Sequence, residues 1–482
     1  MNFNSIEYLL FVPLVFLCLA AIPKRLSWLV LLLGSWYFYL TLKHLSLLLV
    51  LLLVTGVTYL GGLLLGTCRD DGTRRAVFWG AVGANLLVLV GMKYLPFLGK
   101  NLNALCAGLR LDVVLPEPTP LVAIGVSYFV FQAISYLTDI SWNLVEAERH
   151  PGIVALYLGF FPKLLQGPIE RAGDLIPQLR VPFRFDQENF RAGLLTFAWG
   201  LFKKAVIADR LSLYVDSAYG DPASHAGLTL LIATYLYALQ IYYDFSGYTD
   251  MALGSARMFN IRLTPNFRTP YLATSVADFW RRWHISFSRW ILDYIFKPLQ
   301  MTWRERRQLG TAAALVITFL ASGLWHGASW CFVIWGGLHG LFLAVSLFAK
   351  PFRKKLYQRL HIEKSPWLHL GSMLLTFHLV CLAWIFFRAP TVSDAWYILT
   401  HLSGGVSDVE PYLLSRGATE LVIVVASLVL VWTCWWINEK MMAGRDFFTA
   451  PLWFRWSVCG ALAALLLLFN TDSNVGFIYF RF

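Results

Sequence analysis

Two histidines, His284 and His326, are the side chains in this sequence best suited to chemistry. His284 lies in D-F-W-R-R-W-H-I-S-F-S-R-W, residues 278–290, and His326 lies in S-G-L-W-H-G-A-S-W, residues 322–330. Both stretches are rich in apolar and aromatic residues, and ionisable groups at membrane depth are costly and usually mark a pathway or a site. A neutral imidazole is a suitable general base near neutral pH. The alternative is a structural one, in which each histidine is a buried polar group satisfied by a neighbour.

The residues around His284 have the spacing of an amphipathic helix. The residues of its apolar face recur at steps of three and four, and they are Trp280, Trp283, Phe287, Trp290 and Tyr294. Its basic face carries Arg281, Arg282 and Arg289. A helix of this kind is typical of a membrane–water boundary. We therefore expect one continuous interfacial helix, with His284 on its aromatic face.

His326 ends an apolar run, residues 311–330, that is long enough to span a bilayer. Gly323 and Gly327 flank it at GxxxG spacing, which lets a ligand or another backbone approach closely. The same spacing is typical of a helix-packing pair, which is how we interpret Gly336 and Gly340. Trp325 and Trp330 are predicted to wall the histidine in.

Other candidate groups are less specific. Asp244 and Asp250, at the end of an apolar segment, fit a cation or coupling site, but a role as helix caps or as partners of the many arginines is favoured. Ser246 or Ser286 could serve as a nucleophile, although no G-x-S-x-G turn is present. Neither HxxxH nor HExxH occurs, so we expect no metal site.

Composition indicates a polytopic membrane protein. The 482 residues are 58% hydrophobic and 14% charged, whereas soluble domains carry roughly 25% charged residues. The net charge of +12 is spread over alternating loops, which favours a topology signal over a nucleic-acid surface. The seven cysteines show no CxxC spacing and are interpreted as small apolar residues.

Twelve apolar segments predict an all-α protein of about 11–13 transmembrane or re-entrant helices. They lie near 6–22, 26–42, 45–66, 76–98, 121–140, 193–210, 226–248, 311–330, 331–349, 368–388, 420–437 and 453–470. Basic loops fall at 23–25, 69–75, 163–191, 251–307 and 350–364, whereas the loop 389–420 is acidic. The positive-inside rule then places the basic loops in the cytoplasm and both termini outside.

Three segments depart from a simple span. Residues 160–168 are apolar but broken by two prolines and a glycine, so we expect protein or a watery cavity to cover them. The segment 193–210 contains Lys203-Lys204 and is expected to lie partly at the interface. Residues 240–254 place several polar groups at the end of a span. With no repeat or linker visible, we interpret residues 1–482 as one integral domain with its core at about 121–349.

Several motifs in order resemble the membrane-bound O-acyltransferase (MBOAT) family, in its bacterial alginate O-acetyltransferase branch. G-V-S-Y-F-V-F-Q (125–132) is similar to that branch's GISFYTFQ, and F-F-P-K-L-L-Q-G-P-I (160–169) to its FFPxLxxGPI. The stretches 240–254, F-W-R-R-W-H-I-S (279–286), G-L-W-H-G-A-S-W (323–330) and F-I-Y-F-R-F (477–482) follow in the same order. One departure is Leu164-Leu165-Gln166, where the branch often has smaller residues.

The resemblance implies an MBOAT fold and an O-acyltransferase of the bacterial inner membrane. His326 would be the principal catalytic histidine and His284 the second active-site residue, and histidine rather than asparagine at 284 favours the cell-envelope branch. It implies a thioester donor such as acetyl-CoA or an acyl carrier, with no bound cofactor. The implied partners are an extracytoplasmic polysaccharide acceptor, a periplasmic acetyltransferase of SGNH type and membrane lipid.

Substrate or donor contacts are expected from Trp325, Trp283, Ser286, Asp244, Arg281 and Arg282. The arginines of 257–307 would hold donor phosphates, or serve topology alone. Two alternatives remain open at this point: a D-alanyl transferase of the teichoic-acid type with the same fold, and a transporter.

Overall fold

A computed structural model describes residues 1–111, 113–116, 123–225 and 227–437, together with residues 460, 464, 466, 477 and 478. The secondary structure of this part of the chain is helical, without strands. The amino-terminal helices are α1 (Ile6–Ala21), α2 (Ser27–Leu40), α3 (Leu45–Thr67), α4 (Asp71–Leu89), α5 (Leu95–Gly108) and α6 (Val126–Ser141). The central helices are α7 (Pro151–Gly159), α8 (Phe161–Leu164), α9 (Ala172–Arg180), α10 (Gln187–Phe202), α11 (Asp209–Gly220) and α12 (Gly227–Met258). The later helices are α13 (Val276–Arg282), α14 (Ile285–Ile291), α15 (Lys297–Thr302), α16 (Arg307–His326), α17 (Trp330–Arg359), α18 (Pro366–Arg388), α19 (Val392–His401), α20 (Val409–Leu414) and α21 (Ala418–Ile437).

Five helical stretches in the described residues are long and apolar enough to cross a membrane. They are Leu45–Thr67, Asp71–Gly108, Arg304–His326, Trp330–Arg359 and Pro366–Arg388. Eleven of the twelve predicted apolar segments coincide with helices. The twelfth, 453–470, and the motif 477–482 lie almost wholly outside the described residues. The predicted polytopic, all-α class is confirmed.

The surface of the outer helices is apolar. Leu10 on α1 and Leu49, Leu53 and Leu60 on α3 are each more than half exposed, while large aromatic side chains such as Trp384 are fully buried. A water-soluble protein rarely exposes contiguous apolar patches of this kind. These faces therefore meet lipid.

Helices α16 and α17 form a tight hairpin because glycines lie where their backbones cross. A Cβ on Gly323 would lie 2.2 Å from the carbonyl oxygen of Phe332, and one on Gly336 would lie 2.2 Å from that of Phe319. Gly340 packs against Val316 in the same way. The packing role predicted for Gly336 and Gly340 is confirmed, and Gly323 shares it.

Helices α10 and α12 cross through two further pairs of glycines. A Cβ on Gly193 would lie 2.6 Å from the carbonyl oxygen of Gly254, and one on Gly200 would lie 2.5 Å from that of Gly247. The continuation of α10 is a π-helical stretch, Lys203–Ala208, which is buried.

The two lysines of this stretch pair with carboxylates of α12. The Lys204 Nζ lies 2.5 Å from Asp244 Oδ1, and the Lys203 Nζ lies 2.6 Å from Asp250 Oδ2. Lys204 also pairs with Asp209 at 2.8 Å. Both lysines are buried inside the protein. The expectation of arginine partners for the two aspartates is wrong, because lysines take that place.

The broken segment 160–168 is covered by protein, as predicted. Its residues are buried, and Lys163 has no exposed surface. The Lys163 ammonium donates to the Gln132 side-chain oxygen and to the Leu158 carbonyl. The amide of Ile169 donates to Ser286 Oγ at 3.0 Å, which ties the segment to α14.

Candidate active site

The two histidines predicted to do chemistry lie against the same pair of aromatic rings. Phe287 and Trp325 stack with their centroids 4.4 Å apart. His284 lies 5.0 Å from Phe287 and 6.1 Å from Trp325, and His326 lies 5.4 and 4.9 Å from the same two rings. Both histidines are buried. The chain therefore brings together two imidazoles that are 42 positions apart in sequence.

His326 is the last residue of α16. The helix ends there because Gly327 is extended, with φ −165° and ψ 149°, and Ser329 then caps the start of α17. The imidazole also contacts Trp335 at 4.9 Å and Phe387 at 5.3 Å. Its position is thus set by a sharp turn between two long helices.

His284 lies at a break between two short helices, so the prediction of one continuous helix is wrong. Its φ of 43° and ψ of 55° are left-handed, which is uncommon for a residue other than glycine. Asn266 holds the break: its carbonyl accepts from the Ile285 amide and its side-chain oxygen from the Ser286 amide, both at 3.0 Å. Asn266 thereby orients His284 toward Phe245, 4.7 Å away, and toward the shared rings.

Several polar atoms near the histidines hydrogen-bond to no other described residue. They include both ring nitrogens of His284, the indole nitrogen of Trp325, and the hydroxyls of Tyr128 and Ser322. Buried polar groups are normally satisfied, so these atoms keep hydrogen-bonding capacity that no described residue uses. Burial lowers the pKa of His284 to about 3, so its imidazole is neutral at pH 7.

A third buried histidine, His339, lies behind the first two. Trp335 separates it from His326, with centroid distances of 5.1 and 4.9 Å. The indole of Trp280 donates to His339 Nδ1 at 3.2 Å. We did not predict this residue, although G-L-H-G on an apolar helix carries the same signal as His326.

Comparison with known proteins decides the family. A sequence model of the membrane-bound O-acyltransferase family, MBOAT, matches residues 31–372. The chain belongs to this family. It is an acyltransferase.

Several relatives within the membrane-bound O-acyltransferases align over most of the chain. A probable alginate O-acetylase AlgI of Azotobacter vinelandii is 33% identical over 82% of this chain and 77% of its own length. A peptidoglycan O-acetyltransferase of Helicobacter pylori is 33% identical over 70% of this chain and 66% of its own length. A teichoic acid D-alanyltransferase of Bacillus subtilis is 24% identical over 66% of this chain and 79% of its own length.

Among the other residues predicted for the acyltransferase site, Trp325 contacts both histidine rings. Trp283 does not contact either histidine ring; it packs against Phe279, Phe267 and Trp384. The hydroxyl of Ser286 binds the Ile169 amide, so it positions the broken segment.

The charged candidates form ion pairs with other charged side chains. Asp244 is buried, binding Lys204 and the Ile478 amide at 2.9 Å. Arg281, whose side chain is 73% exposed, and Arg282 pair with Asp278 on the same helix. Trp330 does not wall His326 in, because it is 55% exposed and donates to Asn101 Oδ1.

Gly327 packs against the ring of Phe332, so the space that it leaves is filled by protein. The described residues contain no group of three or more His, Cys, Asp or Glu side chains that could hold a metal ion.

Proposed function

We propose that the chain transfers an acetyl group from a cytoplasmic thioester to a hydroxyl of an extracytoplasmic polysaccharide. The observation that carries this proposal is the pair of buried histidines against the Phe287–Trp325 stack. Relatives named for O-acetylation of alginate and of peptidoglycan support the acceptor class. The D-alanyltransferase relative is less similar, at 24% identity.

In the proposed reaction His326 is the general base. Its imidazole takes the proton of the acceptor hydroxyl while that oxygen attacks the thioester carbonyl. The tetrahedral intermediate then collapses, the carbon–sulfur bond breaks, and the proton passes to the departing thiolate. His284, held neutral by burial, donates a hydrogen bond to the donor carbonyl and to the oxyanion that develops on it.

The donor is proposed to be acetyl-CoA or an acyl carrier, entering from the basic side of the membrane. Arg281 is largely exposed near the helix break and is available to a phosphate. The positive-inside rule supports a cytoplasmic location for residues 251–307 and extracytoplasmic termini. A periplasmic SGNH-type acetyltransferase is proposed as a partner of the chain in the inner membrane of a bacterial cell.

The test replaces each histidine and measures alkali-released acetate from envelope polysaccharide, by NMR, at matched membrane abundance. His326→Ala and His326→Asn should each lower transfer by about 10²- to 10⁴-fold, the contribution of a positioned base. His284→Asn should retain measurable transfer, because an amide still donates a hydrogen bond. His369→Asn, the same change at an exposed histidine of α18, is the control and should leave transfer unchanged.

Near-normal ester content in His326→Ala would refute the assignment. Equal loss in His284→Asn and His326→Asn would refute the separate roles. Release of alanine instead of acetate would favour D-alanyl transfer.

A further inference from the structure

The last turn of α16, which presents His326, has its terminal carbonyls satisfied mainly from another helix. A helix leaves its last four carbonyls without partners of its own. Here the Gly323 carbonyl accepts from the Gly327 amide at 3.3 Å. The other three are those of Leu324, Trp325 and His326, and each accepts from a side chain that follows α4.

Two adjacent residues provide these three bonds. The Lys93 ammonium donates to the Trp325 carbonyl at 2.8 Å and to the His326 carbonyl at 3.0 Å. The Tyr94 hydroxyl donates to the Leu324 carbonyl at 2.8 Å. These contacts join positions more than 200 residues apart, so they fix the place of α16 relative to α4 and α5.

The donors lie on an unusual backbone. Val90–Tyr94 is a π-helical stretch between α4 and α5, and such insertions within helices are frequent at functional sites. A lysine in an apolar span is costly unless it finds partners. Carbonyls at a helix carboxyl end suit it, because they also carry the negative end of the helix dipole.

A further hydrogen bond holds the other side of the turn. The indole of Trp330, at the start of α17, donates to Asn101 Oδ1 on α5 at 2.8 Å. Its ring lies 5.9 Å from Phe97. The turn that follows His326 is therefore fixed at both of its ends by the α4–α5 unit.

We propose that Lys93 is a positioning residue of the acyl-transfer site, one that fixes the last turn of α16 so that His326 faces His284 and the substrate. The inference rests on the proposed function of His326. Lys93 binds the backbone carbonyls of Trp325 and His326 together. It therefore fixes the position both of Trp325, which lines the site, and of His326, the proposed base. It acts through these backbone carbonyls.

The experiment supplies labelled acetyl-CoA to inverted membrane vesicles that contain the acceptor polymer, and measures kcat and KM. Lys93→Met keeps the length of the side chain but removes its donors, and a shift of the base by about 1 Å costs on the order of 10²-fold. We therefore expect kcat to fall by about 10- to 100-fold, with KM for acetyl-CoA unchanged within about twofold. Lys93→Arg, which keeps the charge and donors, should restore most of kcat. The control, Lys100→Met, makes the same change at an exposed lysine of α5 and should behave as wild type.

A wild-type kcat in Lys93→Met would overturn the proposal, as would a higher KM with unchanged kcat, which would assign Lys93 to donor binding. Failure of Lys93→Arg to restore the rate would also overturn it.

If Lys93→Met does not accumulate in the membrane, Tyr94→Phe tests the proposal instead, because it removes one hydroxyl and leaves the helix intact. An unchanged kcat in Tyr94→Phe then overturns the proposal, and a several-fold loss supports it.

The two levels of inference fail differently. An inactive wild-type chain, or an active His326→Ala, would refute the proposed function itself. An active wild type, an inactive His326→Ala and a normal Lys93→Met would refute only the role of Lys93.

Discussion

Gly336 lies where α16 and α17 cross, and we predict that replacing it with alanine slows catalysis. Adding one methyl group in Gly336→Ala would place a Cβ 2.2 Å from the carbonyl oxygen of Phe319 and 3.1 Å from the Cα of Gly323. Real Cβ atoms essentially never approach closer than 3.0 Å, and the first atom is backbone, so it cannot rotate away. To bring that oxygen to 3.0 Å from the new Cβ, the two helices must separate by about 0.8 Å, the difference between 3.0 and 2.2 Å.

This displacement acts on the base because His326 ends α16 and contacts Trp335 on α17. A misplacement of about 1 Å costs on the order of 10²-fold in rate, which is about 2.7 kcal/mol of activation free energy. We expect Gly336→Ala to lower acetyl transfer by roughly 30- to 100-fold. Helix propensity works in the opposite direction, since alanine favours a helix over glycine by about 1 kcal/mol.

The neighbouring Gly337→Ala is the matched control. Its Cβ would meet only Leu320 Cδ2, at 3.6 Å, which is ordinary contact. Both variants gain the same helix propensity, so a difference between them reports the crossing. The assay is acetyl release from polysaccharide at matched abundance, with thermal unfolding of the detergent-purified protein alongside. Wild-type transfer in Gly336→Ala, or an equal loss in Gly337→Ala, would refute this reasoning.

Two further predictions concern topology and buried charge. A cysteine at exposed Arg306 should react with a membrane-impermeant thiol reagent only after the cells are opened, whereas Ser407→Cys in the acidic loop should react in intact cells. The reverse pattern would contradict the orientation. The unmutated chain gives the background labelling of the native cysteines. Lys204→Met should destabilise the protein by about 3–5 kcal/mol, because it leaves the buried Asp244 carboxylate uncompensated, and adding Asp244→Asn should recover part of the loss. The thermal stability of the purified protein measures the loss and its recovery. Lys354→Met, the same change at an exposed lysine, is the control. A Lys204→Met chain as stable to heat as this control would contradict the prediction.

The sequence was sufficient to predict the helices and the proximity of the two histidines. Apolar runs predict helices reliably because lipid requires every backbone group to be satisfied within its own segment. His326 was identifiable because an imidazole at the end of an apolar span is costly. His339 carries the same signal and could have been found with it.

The remaining features depend on contacts between distant positions. The break at His284 follows from Asn266, whose backbone and side chain hold the next two amides, and helical periodicity does not register such a contact. Lys203 and Lys204 each have an aspartate partner on α12, 47 and 40 residues further along the chain. Lys93 binds backbone carbonyls, and because every residue has one, the sequence does not indicate which of them it binds.

The pairing of α10 with α12 bears on how the chain enters the membrane during synthesis. On insertion scales an unpaired lysine at the centre of a helix costs about 2.5–3.5 kcal/mol, so Lys203 and Lys204 oppose release of their segment into lipid alone. Asp209, one partner of Lys204, follows directly, but Asp244 and Asp250 emerge from the ribosome only with α12. The two glycine pairs between these helices let the backbones touch without side chains in the way. Lys203 and Lys204 therefore have all of these partners only once α12 has been made, so we expect α10 and α12 to enter the membrane together.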